Sequence, residues 1–109
     1  MIKARFFANG QSLCGFTVSG HAGYADKGED IVCAAVSSAV QMAANTIVES
    51  IGAGVYVARK GGKITLRLLR GQDSAKSLSA KAVIQGLYLH LFILSTQYPG
   101  MISIEDSEV

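Results

Sequence analysis

Two short apolar segments rich in β-branched and aromatic residues, IKARFFANG and LCGFTVSG, open the chain, and the polar NGQS between them carries the Asn9-Gly10 turn signal. The pattern predicts an antiparallel hairpin over residues 2–8 and 13–19. A polar, glycine-bearing loop follows, and Asp30 then stands as an N-cap before IVCAAVSSAVQMAANTIVESI, a helix ending near Gly52. GVYVARKGGKITLRLLRG repeats the hairpin pattern, with strands over 55–58 and 63–69 joined through Gly61 and Gly62. Beyond GQDS, where Asp73 or Ser74 can cap, residues 75–97 read as a long helix stopped by Pro99 and Gly100, and MISIED alternates as a last strand. The order ββαββαβ implies an α+β fold in two layers, a mostly antiparallel sheet with two main helices packed on it. With no repeat or low-complexity linker in sight, residues 1–109 are expected to form one domain.

Composition changes that picture in one respect. Half of the residues are apolar and only 17% are charged, and the mean hydropathy is +0.33. The first helix has no charged residue from Ile31 to Val48, and the second has none from Ala82 to Gln97. Helices without charge around their circumference are buried on more than one side, so a homodimer is expected. Serines, Gln41, Asn45 and Thr46 in the first helix, and Gln85, Gly86 and His90 in the second, interrupt both runs before they make convincing membrane spans; no membrane association is expected. Ten basic and eight acidic residues, spread along the chain, lack the clustering that marks a phosphate-backbone binder, so direct nucleic-acid binding is not expected. Two cysteines and no long apolar leader point to a reducing cytoplasm.

The candidate chemistry lies in GHAGYADKGEDIVCAAVSS. If Asp30 caps the helix, Cys33 occupies its first turn, where unpaired N–H groups and the helix dipole favour a thiolate. Asp30 works against this unless its charge is spent on capping or on orienting a histidine. His21 is the nearby side chain able to act as a base near neutral pH, and the loop between strand and helix can fold it back onto Cys33. Ser37 lies one turn below Cys33 and Gln41 two, a polar stripe on an apolar helix.

Each residue has a plainer reading: Cys33 as a small apolar side chain in a buried helix, His21 as a loop histidine, Asp30 as a cap, Ser37 bonding back to a helix carbonyl. Glycines between a strand and a helix also suit a phosphate, but Asp26, Glu29 and Asp30 outweigh Lys27 and suit a cationic peptide instead. His21, Cys33, Cys14 and His90 have no metal-ligand spacing, so neither a metal nor any other cofactor is expected. Cys14 and His90 are assigned to core packing, or for His90 to a buried subunit contact.

The same stretch resembles the signature of the bacterial ribosomal-processing cysteine protease family, G-H-A, a short loop, then G-x-D-I-V-C-A. Gly20, His21, Ala22, Gly28, Asp30, Ile31, Val32, Cys33 and Ala34 match it. The resemblance implies that Cys33 is the nucleophile and His21 the general base of a cytoplasmic homodimeric endopeptidase. Its substrate would be a large-subunit ribosomal protein carrying an N-terminal extension. Asp30 and Ser37 match positions with supporting roles, and Gly23, Tyr24, Asp26, Lys27, Gly28 and Glu29 form the implied substrate loop. Ala25, Asp26 and Lys27 depart from the family's common Glu-Tyr pair. Backbone N–H groups near Val32 to Ala34 are the expected oxyanion donors. The competing reading is a non-enzymatic dimeric module that binds a ribosomal protein or assembly intermediate.

Overall fold

The computed structural model describes residues 1–20 and 27–109, the side chains of residues 27–30 excepted. Strands β1 (Ile2–Asn9) and β2 (Ser12–Ser19) form the first hairpin, and α1 (Lys27–Asn45) follows, running on into a π-helical segment, Thr46–Ile51. Strands β3 (Val55–Lys60) and β4 (Lys63–Leu68), helix α2 (Ser74–Gln97) and strand β5 (Ile102–Glu108) complete the expected order ββαββαβ.

The strands make one five-stranded sheet in the order β3-β4-β2-β1-β5. Three of its pairings are antiparallel. The fourth is parallel, because α2 carries the chain across the sheet and β5 returns beside β1 with Ile2 facing Ile102. The sheet is mostly antiparallel, as expected, and this one parallel pair makes it mixed.

Alternation decides which face the helices cover. Ile2, Ala4 and Phe6 of β1, Phe16 and Val18 of β2, and Ile64 and Leu66 of β4 point to one side, where they meet Val32, Val36 and Val40 of α1 and Ala80, Ile84, Leu87 and Leu91 of α2. The helical residues recur at three and four positions, one face of each helix. Phe6 sits at the centre, its ring edge-on to Tyr88 at 5.0 Å and tilted against Phe16 at 6.2 Å. Burying each such side chain contributes about 1.5–3 kcal/mol, so the core is held by this single apolar layer. On the open side of the sheet, Arg5 and Glu105 pair at 3.1 Å, and the Arg67 guanidinium lies 4.2 Å over the Phe7 ring.

Helix boundaries follow local chemistry. Asp73 caps α2 as expected, its carboxylate accepting from the Lys76 N–H at 3.2 Å. At the other helix the expectation fails: α1 begins at Lys27, so Asp30 lies within its first turn and is not the N-cap, and Lys27, Gly28 and Glu29 belong to the helix instead of a loop. Carboxylates complement the positive helix end from inside the first turn as well as from the cap, so Glu29 and Asp30 are compatible with the earlier start. His90 is exposed on the single chain, so it does not pack in the core; of the two expected roles, only a subunit contact is compatible with that position.

Both helices pass the length and hydropathy test for crossing a membrane, yet each packs one face on the sheet. Their outer surfaces remain apolar, with Ile31 and Met42 on α1 and Leu89, Phe92 and Ile93 on α2 exposed.

Candidate active site

Val32, Val36 and Val40 turn α1 onto the sheet, which rotates the next residues along the helix, Cys33, Ser37 and Gln41, to its margin. Cys33 is half-buried and packs against the edge of the core; Ser37 is half-buried and Gln41 exposed. The stripe expected from the spacing therefore exists as a row leading from the thiol toward solvent.

That row borders a groove of about 300 Å³ between α1 and the β3–β4 turn. Val18, Val36, Val40 and Ile64 form its apolar floor, Ser37 and Gln41 one wall, and Arg59 to Lys63 the other. Arg59 pairs directly with Ile64, so it shares the helix-facing side of the sheet with that residue. A guanidinium at the mouth of an apolar groove, opposite a hydroxyl and an amide, can hold the carbonyls or polar side chains of an extended peptide while the floor takes an apolar one. Sequence reading missed Arg59. Its signal was the phase of β3, in which Val55 and Val57 share Arg59's side and a third apolar residue would be the ordinary choice.

The end of β2 reaches the same place. Val18 lies on the groove floor beside Val36 and Ser37, and the strand closes two residues later at Gly20. There φ is +101°, and an added Cβ would overlap the Met1 carbonyl oxygen; only glycine fits both the angle and the space. His21 follows directly. Two residues of chain span at most about 7 Å, so Gly20 is tied to the neighbourhood of Val18 and hence of the groove that Ser37 lines.

The other expected positions divide as follows. His21, Gly23, Tyr24 and Asp26 lie outside the described residues, as does the side chain of Asp30. Because α1 starts at Lys27, Cys33 stands in its second turn, beyond the reach of the first-turn dipole argument. The N–H groups near Val32 to Ala34 fall in the helix interior, where carbonyls one turn earlier are their partners, so they are not free oxyanion donors; the unpaired ones belong to residues 27–30. Both cysteines are free thiols, and among the described residues no group of His, Cys, Asp and Glu could hold a metal.

A half-buried thiol on a helix, one turn from a groove wide enough for a peptide and beside the strand end that leads to a histidine, defines a candidate cysteine peptidase. The chain belongs to the Prp family of cysteine proteases, whose family model matches residues 1–103. It is 37% identical over 90 residues to the ribosomal processing cysteine protease Prp of Mycoplasma pneumoniae, covering 83% of this chain and 84% of that one. Against the Bacillus subtilis protein of the same description the identity is 26%, over 81% of this chain and 80% of that one. The fold matches the crystal structure of the Staphylococcus aureus ribosomal processing protease Prp with a substrate peptide, at a TM-score of 0.85 and 20% identity, covering 98% of this chain and all of that one (100%). A Streptococcus mutans structure matches at 0.84 and 22% identity, over 100% of this chain and 99% of that one. The protein is a cysteine protease.

Proposed function

We propose that this protease removes an N-terminal extension from a bacterial large-subunit ribosomal protein in the cytoplasm, with Cys33 as nucleophile and His21 as general base. The observation that carries the reading is the convergence of the β2 end and the Cys33 face of α1 on one peptide-sized groove. His21 takes the Sγ proton, and the sulfur attacks the scissile carbonyl carbon. The C–N bond breaks as the imidazolium protonates the leaving amine, and water then hydrolyses the thioester with His21 again as base. Donors for the oxyanion come from the first turn of α1, whose N–H groups lack helical partners. Asp30 and Ser37 position the pair. Gly23, Tyr24, Asp26, Lys27, Gly28 and Glu29 meet the substrate, their net negative charge favouring a basic segment.

The exposed apolar residues of α1 and α2 flank a further groove of about 610 Å³ lined by Ala35, Met42, Val83, Gly86 and His90. This unpartnered surface supports a homodimer, which light scattering after gel filtration would report as twice the chain mass.

The test of the activity is to incubate the purified protein with an N-terminally extended ribosomal protein and follow its mass. Loss of the extension is expected. No cleavage by the wild type, or equal cleavage by Cys33→Ala, contradicts the mechanism.

A further inference from the structure

The open face of the sheet carries chemistry that peptide cleavage does not use. Arg5 pairs with Thr17, Thr17 with Thr65, and Lys60 with Lys63, so alternation puts Lys3, Arg5 and Arg67 on the side away from the helices, with Lys60 and Lys63 at its border, where they also edge the peptide groove. Lys3, Arg5 and Lys63 share one shallow depression with Thr17 and Ser19. Past the other end of the sheet, where the chain turns into α2, Arg67 and Arg70 line a cleft of about 330 Å³ with Asn9, Gln72, Val109 and, from the helical layer, Ser77 and Lys81; among the described residues no acidic side chain lines it. Arg67, whose guanidinium lies over the Phe7 ring, lines the cleft and shares β4 with Lys63 of the depression. The carboxylate that lines the depression, Glu105, is engaged by Arg5, the one ion pair among the described residues.

We propose that this face binds the backbone of a single-stranded RNA. Lys3 and Arg5 stand about 7 Å apart along β1, Lys60 and Lys63 about 5 Å apart across β3 and β4, and β2 separates the β1 cations from those of β4 by about 10 Å. They do not converge as the donors of a small-anion site do, so the ligand that satisfies them repeats a single charge along a flexible chain. The hydroxyls of Thr17 and Thr65 are hydrogen-bonded to each other, which leaves one of their protons, and that of Ser19, to donate to phosphate oxygens or to ribose. Tyr56, which pairs with Arg67 and is 54% exposed, offers a ring on the same face for a base to stack on. An acidic peptide would match the charge but leave that ring unused. The cations occupy alternate positions on three strands, so along the chain they look scattered; the sheet gathers them.

The experiment is fluorescence anisotropy with a labelled 20-nucleotide RNA of mixed sequence. Binding with a Kd of about 10 μM at 50 mM salt is expected. With about four phosphates neutralised, the log-log salt slope is about −2.8, so affinity falls about 50-fold by 200 mM. The triple variant Lys3→Gln, Arg5→Gln, Arg67→Gln weakens binding at least tenfold and flattens the slope, while peptide cleavage stays within about twofold and shows that the fold is intact. Lys3→Glu, an exposed single change, weakens binding about threefold or more and covers the case in which the triple variant is unstable. Unchanged affinity in both variants overturns the proposal, as does polyglutamate competing as well as unlabelled RNA of equal charge.

Discussion

Cys14 and Cys33 are the same side chain, both half-buried, in two regions built differently. Cys14 lies on β2 beside the irregularity that interrupts the β1–β2 register at Phe7 and Ala8, and its S–H donates to the Phe7 carbonyl at 3.4 Å. It borders the cation-lined cleft, at the other end of β2 from Gly20. Cys33 has no such bond among the described residues; it heads a polar row on α1 that opens onto a groove with an apolar floor. Depth alone therefore does not mark a nucleophile. The observed difference is that the backbone nearby satisfies the Cys14 sulfur, whereas Cys33 stands at the head of a row that borders a groove, the position the proposed mechanism requires.

The strongest way to break this comparison is to exchange the thiols one at a time. Cys33→Ser is expected to lower kcat at least about 1,000-fold in the processing assay, and Cys14→Ser to leave it within twofold. Next in size, His21→Ala should cost about 100- to 10,000-fold in kcat/KM, the range of a lost general base, and should slow iodoacetamide labelling of Cys33 at pH 7, with Cys14 unaffected. Gly20→Ala forces a side chain into the Met1 carbonyl at positive φ; the loss of about 2 kcal/mol should lower Tm by roughly 10 °C, and misplacement of His21 should lower activity further. Arg59→Met should raise KM about fivefold for an extended peptide with a smaller change in kcat, because it removes a groove contact remote from the thiol. The smallest effect is expected at the other thiol: Cys14→Ala should cost no more than about 1 kcal/mol of stability in urea unfolding, with no change in cleavage.

Much of this organisation was written in local pattern. The Asn9-Gly10 and Gly61-Gly62 turns set both hairpins within a residue or two of their observed limits, because a tight turn and flanking apolar residues leave a strand pair little choice. Asp73 was legible because its side chain meets its own helix's N–H. The start of α1 was not, since an acidic run serves equally as cap or as first turn. The parallel placement of β5 depends on where α2 delivers the chain, a long-range outcome that no window of sequence contains. In the site, Cys33, Ser37 and Gln41 were readable from helical spacing, whereas Arg59 required the phase of β3 and its pairing with Ile64. The cationic sheet face was hidden for the same reason, its members separated by alternation and assembled only by strand order.

The proposed role of Cys33 is tested most directly at the bond it would make with its substrate. Turnover of an extended ribosomal protein, quenched in acid within the first catalytic cycle and mapped by peptide mass, should show an acyl thioester on the peptide containing Cys33 and an unmodified peptide containing Cys14. An acyl group on Cys14, or cleavage with neither cysteine acylated at any time, would contradict it.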